Sequence, residues 1–196
     1  AVNVSHLPRP GWLEQALRAG VAESTSYPDA HRARAAVARR HGREIAEVLL
    51  TAGAAEAFWL VARARSWKCP VVVHPQFTEP DVALRAAGHR VLHVMCRPDD
   101  EFRLDPAAVP DEADLVVVGN PTNPTGRLHA RDTLLSLIRP GRVLVVDEAF
   151  MDFVPHERET LVSHRLPGVL VIRSLTKMWS MPGIRVGYLA GDPDVL

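Results

Sequence analysis

Only two of the 196 residues are cysteine, Cys69 and Cys96. That excludes a disulfide-stapled secreted scaffold and a four-cysteine zinc site, and two thiols fit a reducing cytosol. Lysine is equally scarce: Lys68 and Lys177 stand against 21 arginines. A surplus of either charge is absent, because 23 basic and 23 acidic side chains cancel. A general nucleic-acid binder needs a net basic face, so that class is set aside. No apolar run approaches the roughly 20 residues of a membrane helix. The start, Ala1-Val2-Asn3-Val4, lacks an initiator Met and a charged-then-apolar leader, so the chain reads as processed or excised. What is present, 47% hydrophobic and 23% charged positions, is too apolar for disorder. A chain of this length buries roughly 70% of its unfolded surface, enough for one sizeable core without metal or disulfide staples.

Short β-branched runs alternate with Ala/Leu/Arg-rich stretches. Strands are expected at Val48–Thr51, Val71–His74, Val91–Val94, Leu115–Val118, Val143–Val146, Val169–Ile172 and Arg185–Ala190. Four of them (VVVH, LVVV, VLVV, VLVI) are apolar without alternation, the pattern of strands buried on both faces. Asp29 can cap a helix to His41, with Gly42 ending it in a left-handed turn. Further helices are expected over Ala54–Ala64, Pro80–Ala87 and His129–Ile138. The alternation predicts a three-layer α/β fold around a mostly parallel sheet of about seven strands. In such sheets ligands sit beyond the carboxyl ends of the strands.

Those ends carry the chemistry. After Thr51 comes Gly53-Ala54-Ala55-Glu56; small residues at a helix start suit a phosphate, although an ordinary tight turn is the better reading of the segment alone. Phe77, in His74-Pro75-Gln76-Phe77, suits either a core plug, the better reading for the segment alone, or a stacking face for a flat ring. Two Asn-Pro steps and a glycine in Gly119-Asn120-Pro121-Thr122-Asn123-Pro124-Thr125-Gly126 dictate a rigid, irregular loop that can present an Asn side chain. Asp147-Glu148 follows four apolar residues, as in a P-loop ATPase, but neither lysine sits in a G-x-x-x-x-G-K-[ST] loop. After Ile172 the chain reads Arg173-Ser174-Leu175-Thr176-Lys177, then Gly183-Ile184-Arg185-Val186-Gly187. Met178, Trp179 and Met181 follow the lysine, and an amine lodged among apolar groups loses its proton more easily and becomes a nucleophile toward carbonyls.

Seven segments in order, Tyr27-Pro28-Asp29, Gly53-Ala54-Ala55-Glu56, Pro75-Gln76-Phe77, Asn123-Pro124-Thr125-Gly126, Asp147-Glu148-Ala149-Phe150, Ser174-Leu175-Thr176-Lys177 and Gly183-Ile184-Arg185-Val186-Gly187, resemble the fold-type I pyridoxal-phosphate enzymes of the class I/II aminotransferase group. Within it the similarity is greatest to the histidinol-phosphate aminotransferase branch and to the threonine-phosphate decarboxylases of cobalamin biosynthesis. The resemblance implies pyridoxal 5'-phosphate as cofactor. Lys177 would link to its aldehyde and shuttle protons, and Asp147 would pair with the ring nitrogen. Asn123 would bond the ring's 3-oxygen and Phe77 would stack on its face. Gly53, Ala54 and Ala55, with Ser174, Thr176 and Arg185, would hold the phosphate. Tyr27 would reach the phosphate of a neighbouring subunit, which implies a homodimer. Residues 1–28 would form an N-terminal arm and 29–196 the cofactor-binding large domain, with the small C-terminal domain of the family absent. A small-molecule amino substrate, a cytoplasmic setting, and no nucleic-acid or membrane partner complete the expectation.

Phe150 departs from the tyrosine common in the family, which tilts the reading toward the decarboxylase-like, cobalamin-pathway branch, a lyase. The alternatives are a histidinol-phosphate-type aminotransferase and a non-catalytic large-domain fragment. Other residues are read as structural. His89 and His93 flank a strand with no third ligand evident, so no metal is expected. Arg39-Arg40-His41-Gly42-Arg43 reads as a solvated helix end and Asp99-Asp100-Glu101 as an exposed loop. Trp12, Trp59 and Trp67 read as packing residues, Glu148 as facing structure or solvent, and Asn3 as a minor candidate for approaching substrate.

Overall fold

The computed structural model describes residues 3–196. Its helices are α1 (Gly11–Glu23), α2 (Ala30–His41), α3 (Ala54–Ala64), α4 (Glu79–Ala86) and α5 (Arg131–Leu135). Its strands are β1 (Val48–Thr51), β2 (Pro70–His74), β3 (Leu92–Met95), β4 (Leu115–Gly119), β5 (Val143–Asp147), β6 (Val169–Ser174) and β7 (Gly187–Gly191). They form one sheet in the order β1-β7-β6-β5-β4-β2-β3. Every pairing is parallel except those of β7, which runs antiparallel to both β1 and β6.

Alternate residues of each strand enter two separate cores. Val71, Val116, Val118, Leu144, Val146 and Val171 pack on one side with Leu134, Leu137 and Leu161. Val72, Leu115, Val117, Val143, Val145 and Ile172 pack on the other with Ala57, Phe58 and Val61 of α3 and Leu84 of α4. Both faces are therefore dry, which is why the strand sequences do not alternate.

Local signals set several boundaries. The Asp29 side chain accepts from the His31 N–H at 2.8 Å, and Gly42 ends α2 at φ 64°. Three expectations shift. Residues 185 and 186 leave β7, because Arg185 adopts a left-handed conformation at φ 57° that no strand tolerates. α5 is shorter than His129–Ile138, its last turn tightening to Ile138 N–H donating to Leu135 C=O. α1 forms inside the expected N-terminal arm, burying only Leu13.

Two further readings are corrected. The Arg39–Arg43 run is not a solvated end, since His41 and Arg43 are buried. Arg43 donates to the carbonyls of Val162 and His164, and His41 Nε2 lies 2.7 Å from the Tyr188 hydroxyl. Burial, reinforced by Arg173 and Arg40, pushes His41 down to about 4, so the ring is neutral. Trp67 packs as expected and Trp59 donates to Glu79, whereas Trp12 is 62% exposed, touching Trp179 edge-on.

Candidate active site

The register brings the strand ends to one level. Thr51 of β1 and Ser174 of β6 both pair with Gly187 of β7. Beside them Asp147 of β5 pairs with Gly119 of β4 and Ile172 of β6. The chain between β6 and β7 must reverse to give the antiparallel strand. That loop carries Thr176, Lys177 and Arg185 back over the sheet edge.

Gly187 shows what the crowding requires. A Cβ there would lie 2.8 Å from the Arg173 carbonyl and 2.9–3.0 Å from the backbone of Gly53 and Ala54. Only glycine lets the start of α3 sit this close to the strand. Gly53 itself has φ 80° and ψ 173°, a conformation essentially confined to glycine, and a Cβ on it would meet Arg185 Nη2 at 2.8 Å. The turn, the helix start and the guanidinium are thus built against one another.

Ala54, Ala55, Phe77, Asn123, Asp147, Ser174, Thr176, Lys177 and Arg185 line a single cleft, joined by Ala149 and Phe150. Ser174 Oγ and Thr176 Oγ1 are 2.8 Å apart, and Arg185 Nη1 donates to the Pro182 carbonyl. With the N–H groups at the start of α3, these donors make one corner of the cleft chemically suited to an anion. Phe77 is 40% exposed and only tilts toward Phe58 at 6.4 Å between ring centroids, so the core-plug reading fails and the ring stands free to stack.

Asp147 is a buried part of the same lining. Burial pushes its carboxyl up to about 6, opposed by the Ala149 N–H, which donates to Oδ1 at 3.0 Å, and by the Lys177 charge. A carboxylate held this way gains from any cation brought against it. Lys177 Nζ lies 5.6 Å from the centroid of the Phe150 ring. The apolar neighbour of the amine is therefore Phe150, whereas Met178, expected from its adjacency to shield it, points outward at 39% exposure.

Asn123 is held by the N-terminal segment. Its Oδ1 accepts from Asn3 Nδ2 at 2.9 Å, which leaves the Asn123 amide hydrogens as donors. Ser5 N–H donates to the Lys177 carbonyl and Ser180 Oγ to the Ser5 carbonyl, so residues 3–5 cross the lysine loop. Neither bond has a local sequence signal. A groove lined by Asn3, Pro121, Asn123, Phe150 and Phe153 continues from the cleft.

Tyr27 lies outside the cleft, fully exposed. Glu148 turns away from Asp147 into structure. It accepts from Arg173, Thr160 and the Leu161 N–H, while Arg173 also pairs with Asp152 and Glu157. Asp152 Oδ2 in turn accepts from Trp179 Nε1 at 3.0 Å, tying the lysine loop to the segment after Phe150. His89 and His93 do not meet, because His89 bonds the Ala62 carbonyl. The expectation that no third metal-type side chain stands by His93 is corrected: His74 and Asp81 do.

The family model described as aminotransferase class I and II matches residues 3–196. A histidinol-phosphate aminotransferase of Mycobacterium tuberculosis is 56% identical over 199 residues, covering 100% of this chain and 54% of that protein. A threonine-phosphate decarboxylase of Salmonella typhimurium is 31% identical over 204 residues, covering 99% of this chain and 56% of that protein. Among solved structures, a histidinol-phosphate aminotransferase from Sinorhizobium meliloti in complex with pyridoxal-5'-phosphate superposes with a TM-score of 0.88 at 23% identity, over 100% of this chain and 56% of that one. The chain spans about half the length of the curated relatives it matches.

Proposed function

Because this chain belongs to the aminotransferase class I and II family, whose cofactor is pyridoxal 5'-phosphate, we propose that the Lys177–Asp147 cleft holds that cofactor and serves amino-group transfer from a phosphorylated amino substrate of the histidinol-phosphate kind. The observation that carries this reading is that one lysine and one buried carboxylate line the same cleft as a set of phosphate-type donors. The residues fit the group. The corner of Ala54, Ala55, Ser174, Thr176 and Arg185 suits a phosphate dianion, with Arg185 supplying charge-assisted bonds. Phe77 offers a free face and Asn123 free amide hydrogens.

When bound, the cofactor supplies an aldehyde that takes up amines and a protonated ring that accepts the electron pair released at the substrate α-carbon. Asp147 would hold the proton at the ring nitrogen, being buried where a paired cation is favoured over a free carboxylate. Lys177, which lines the same cleft, would hold the aldehyde end of the group and serve as the base that takes up and returns a proton at the substrate α-carbon. Asn123 would hold the ring through its free amide hydrogens, and Phe150, lacking a hydroxyl, would contribute an apolar wall without donating. The groove from Asn3 to Phe153 offers the adjoining substrate space. Exposed Tyr27 suits a contact with a second copy, so a homodimer of units formed by residues 29–196, with 1–28 as an arm, belongs to the proposal.

Phe150 alone tilts the sequence toward the decarboxylase branch. The 56%-identical relatives carry the histidinol-phosphate aminotransferase name, against 31% for the decarboxylase, which supports the transferase instead. The test supplies the protein with cofactor and, separately, histidinol phosphate plus an oxo-acid acceptor, or threonine phosphate. Amino transfer from the first is expected. Carbon dioxide from the second without transfer would return the reading to the decarboxylase, and a cofactor band without turnover of either would favour a non-catalytic unit.

A further inference from the structure

A second cluster lies at the opposite edge of the sheet, in the β2–α4–β3 crossover. Val72 of β2 pairs with His93 of β3, so His74, two residues along β2, projects from the same face as His93. The two imidazoles meet edge to face with centroids 4.5 Å apart. α4 folds back over this edge and places Asp81, in its first turn, against them: Asp81 Oδ1 lies 2.7 Å from His93 Nε2. One donor atom from each of His74, Asp81 and His93 falls within 4.8 Å of the others.

Two details distinguish the cluster from a surface ion pair. His74 Nε2 is buried and has no hydrogen-bond partner among the described residues, an uncommon state for a buried ring nitrogen, since nearly all such atoms are satisfied. Asp81 is also fixed from behind, Arg85 Nε donating to Oδ2 at 2.8 Å. Metal-binding carboxylates are commonly held by such outer hydrogen bonds, which leave one oxygen free to ligate. The remaining neighbours are committed elsewhere: Glu79 accepts from Trp59 and His89 bonds the Ala62 carbonyl. Among the described residues the cation facing the cluster is Arg85, its Nη2 3.4 Å from His93 Nε2 on a side chain 52% exposed.

We propose that His74, Asp81 and His93 form a binding site for a divalent transition cation of the zinc class, clamping α4 onto the β2–β3 edge. Two imidazoles and one carboxylate match the nitrogen- and oxygen-rich donor set of zinc and its neighbours, whereas calcium and magnesium demand mostly oxygen. The cation replaces the proton shared between His93 Nε2 and Asp81 Oδ1. Tetrahedral donors at zinc bond lengths stand about 3.4 Å apart, so the His93–Asp81 pair opens from 2.7 Å to admit the cation, while any wider pair closes by about 1.4 Å at most. Water fills the fourth position. The site lies outside the Lys177 cleft and does not rest on the proposed activity.

The test uses the chelator-treated 196-residue chain, free of cofactor and phosphate, titrated with Co²⁺ and then Zn²⁺. Visible absorption of tetrahedral intensity, saturating at one Co²⁺ per chain and displaced by Zn²⁺, is expected, with a rise in melting temperature. His93→Ala and Asp81→Ala should each weaken binding by about tenfold or more, and His89→Ala should leave it unchanged. Absence of tetrahedral absorption in the unaltered chain overturns the proposal, a result that needs no variant to fold. So does a His93→Ala chain, shown folded by circular dichroism, that binds as tightly as the parent.

Discussion

Replacing Asp147 by Asn should stabilise the cofactor-free protein while removing its function. Burial lifts the Asp147 carboxyl from the ordinary 3.8 to about 6, despite the Ala149 N–H and the Lys177 charge. The folded state therefore holds the proton more tightly than the unfolded chain. Stability from this group is fully present below about pH 4 and is lost as pH rises through about 6. The interval corresponds to about 3 kcal/mol at most, at about 1.4 kcal/mol per pH unit. Asn keeps the shape and the acceptor for the Ala149 N–H but carries no charge. Urea unfolding of Asp147→Asn should show a gain of up to about 3 kcal/mol over the parent at pH 8, shrinking to nothing near pH 4. With cofactor the order should reverse, since only the parent offers a carboxylate to a ring cation. A variant no more stable than the parent at pH 8, or a difference independent of pH, would refute the argument that desolvation dominates at Asp147.

Other perturbations probe the same cleft. With only two lysines in the chain, borohydride reduction of the cofactor-loaded protein should fix the label on the peptide containing Lys177; label on the Lys68 peptide alone would contradict the assignment. Arg185→Ala should weaken cofactor binding by roughly tenfold to a hundredfold, the worth of one charge-assisted hydrogen bond, and unchanged affinity in a fluorescence titration would remove Arg185 from the phosphate corner. Gly53→Ala forces a side chain into a conformation at φ 80° and against Arg185 Nη2. It should cost about 1–3 kcal/mol and loosen phosphate binding as well; a calorimetric melt matching the parent would show that the turn relaxes freely.

Local chemistry made much of this protein legible. Asp29 and Gly42 delimit α2 because a cap and a left-handed stop act within a few residues of themselves. The unbroken apolar runs declare a sheet covered on both faces, since burial on either side of one strand needs no knowledge of its partners. Nine of the eleven residues expected at the site line one cleft, and Gly53 supports it from behind, because loops at strand ends are brought together by the sheet itself. Tertiary structure alone decided the rest. Arg185 leaves its expected strand because β7 must turn back on β6, a constraint set by register and not by residue 185. Gly187 is needed because the Arg173 carbonyl of the neighbouring strand and the start of α3, more than 130 residues upstream in the chain, both crowd it. His41 and Arg43 are polar at a helix end, and nothing nearby says that Tyr188, Val162 and His164 will enclose them. His74, Asp81 and His93 follow no motif spacing; a crossover that folds one helix over two neighbouring strands makes them a cluster. Periodicity reports which faces are buried, whereas the identity of what lies against them depends on contacts between distant segments, and those exist only once the chain has folded.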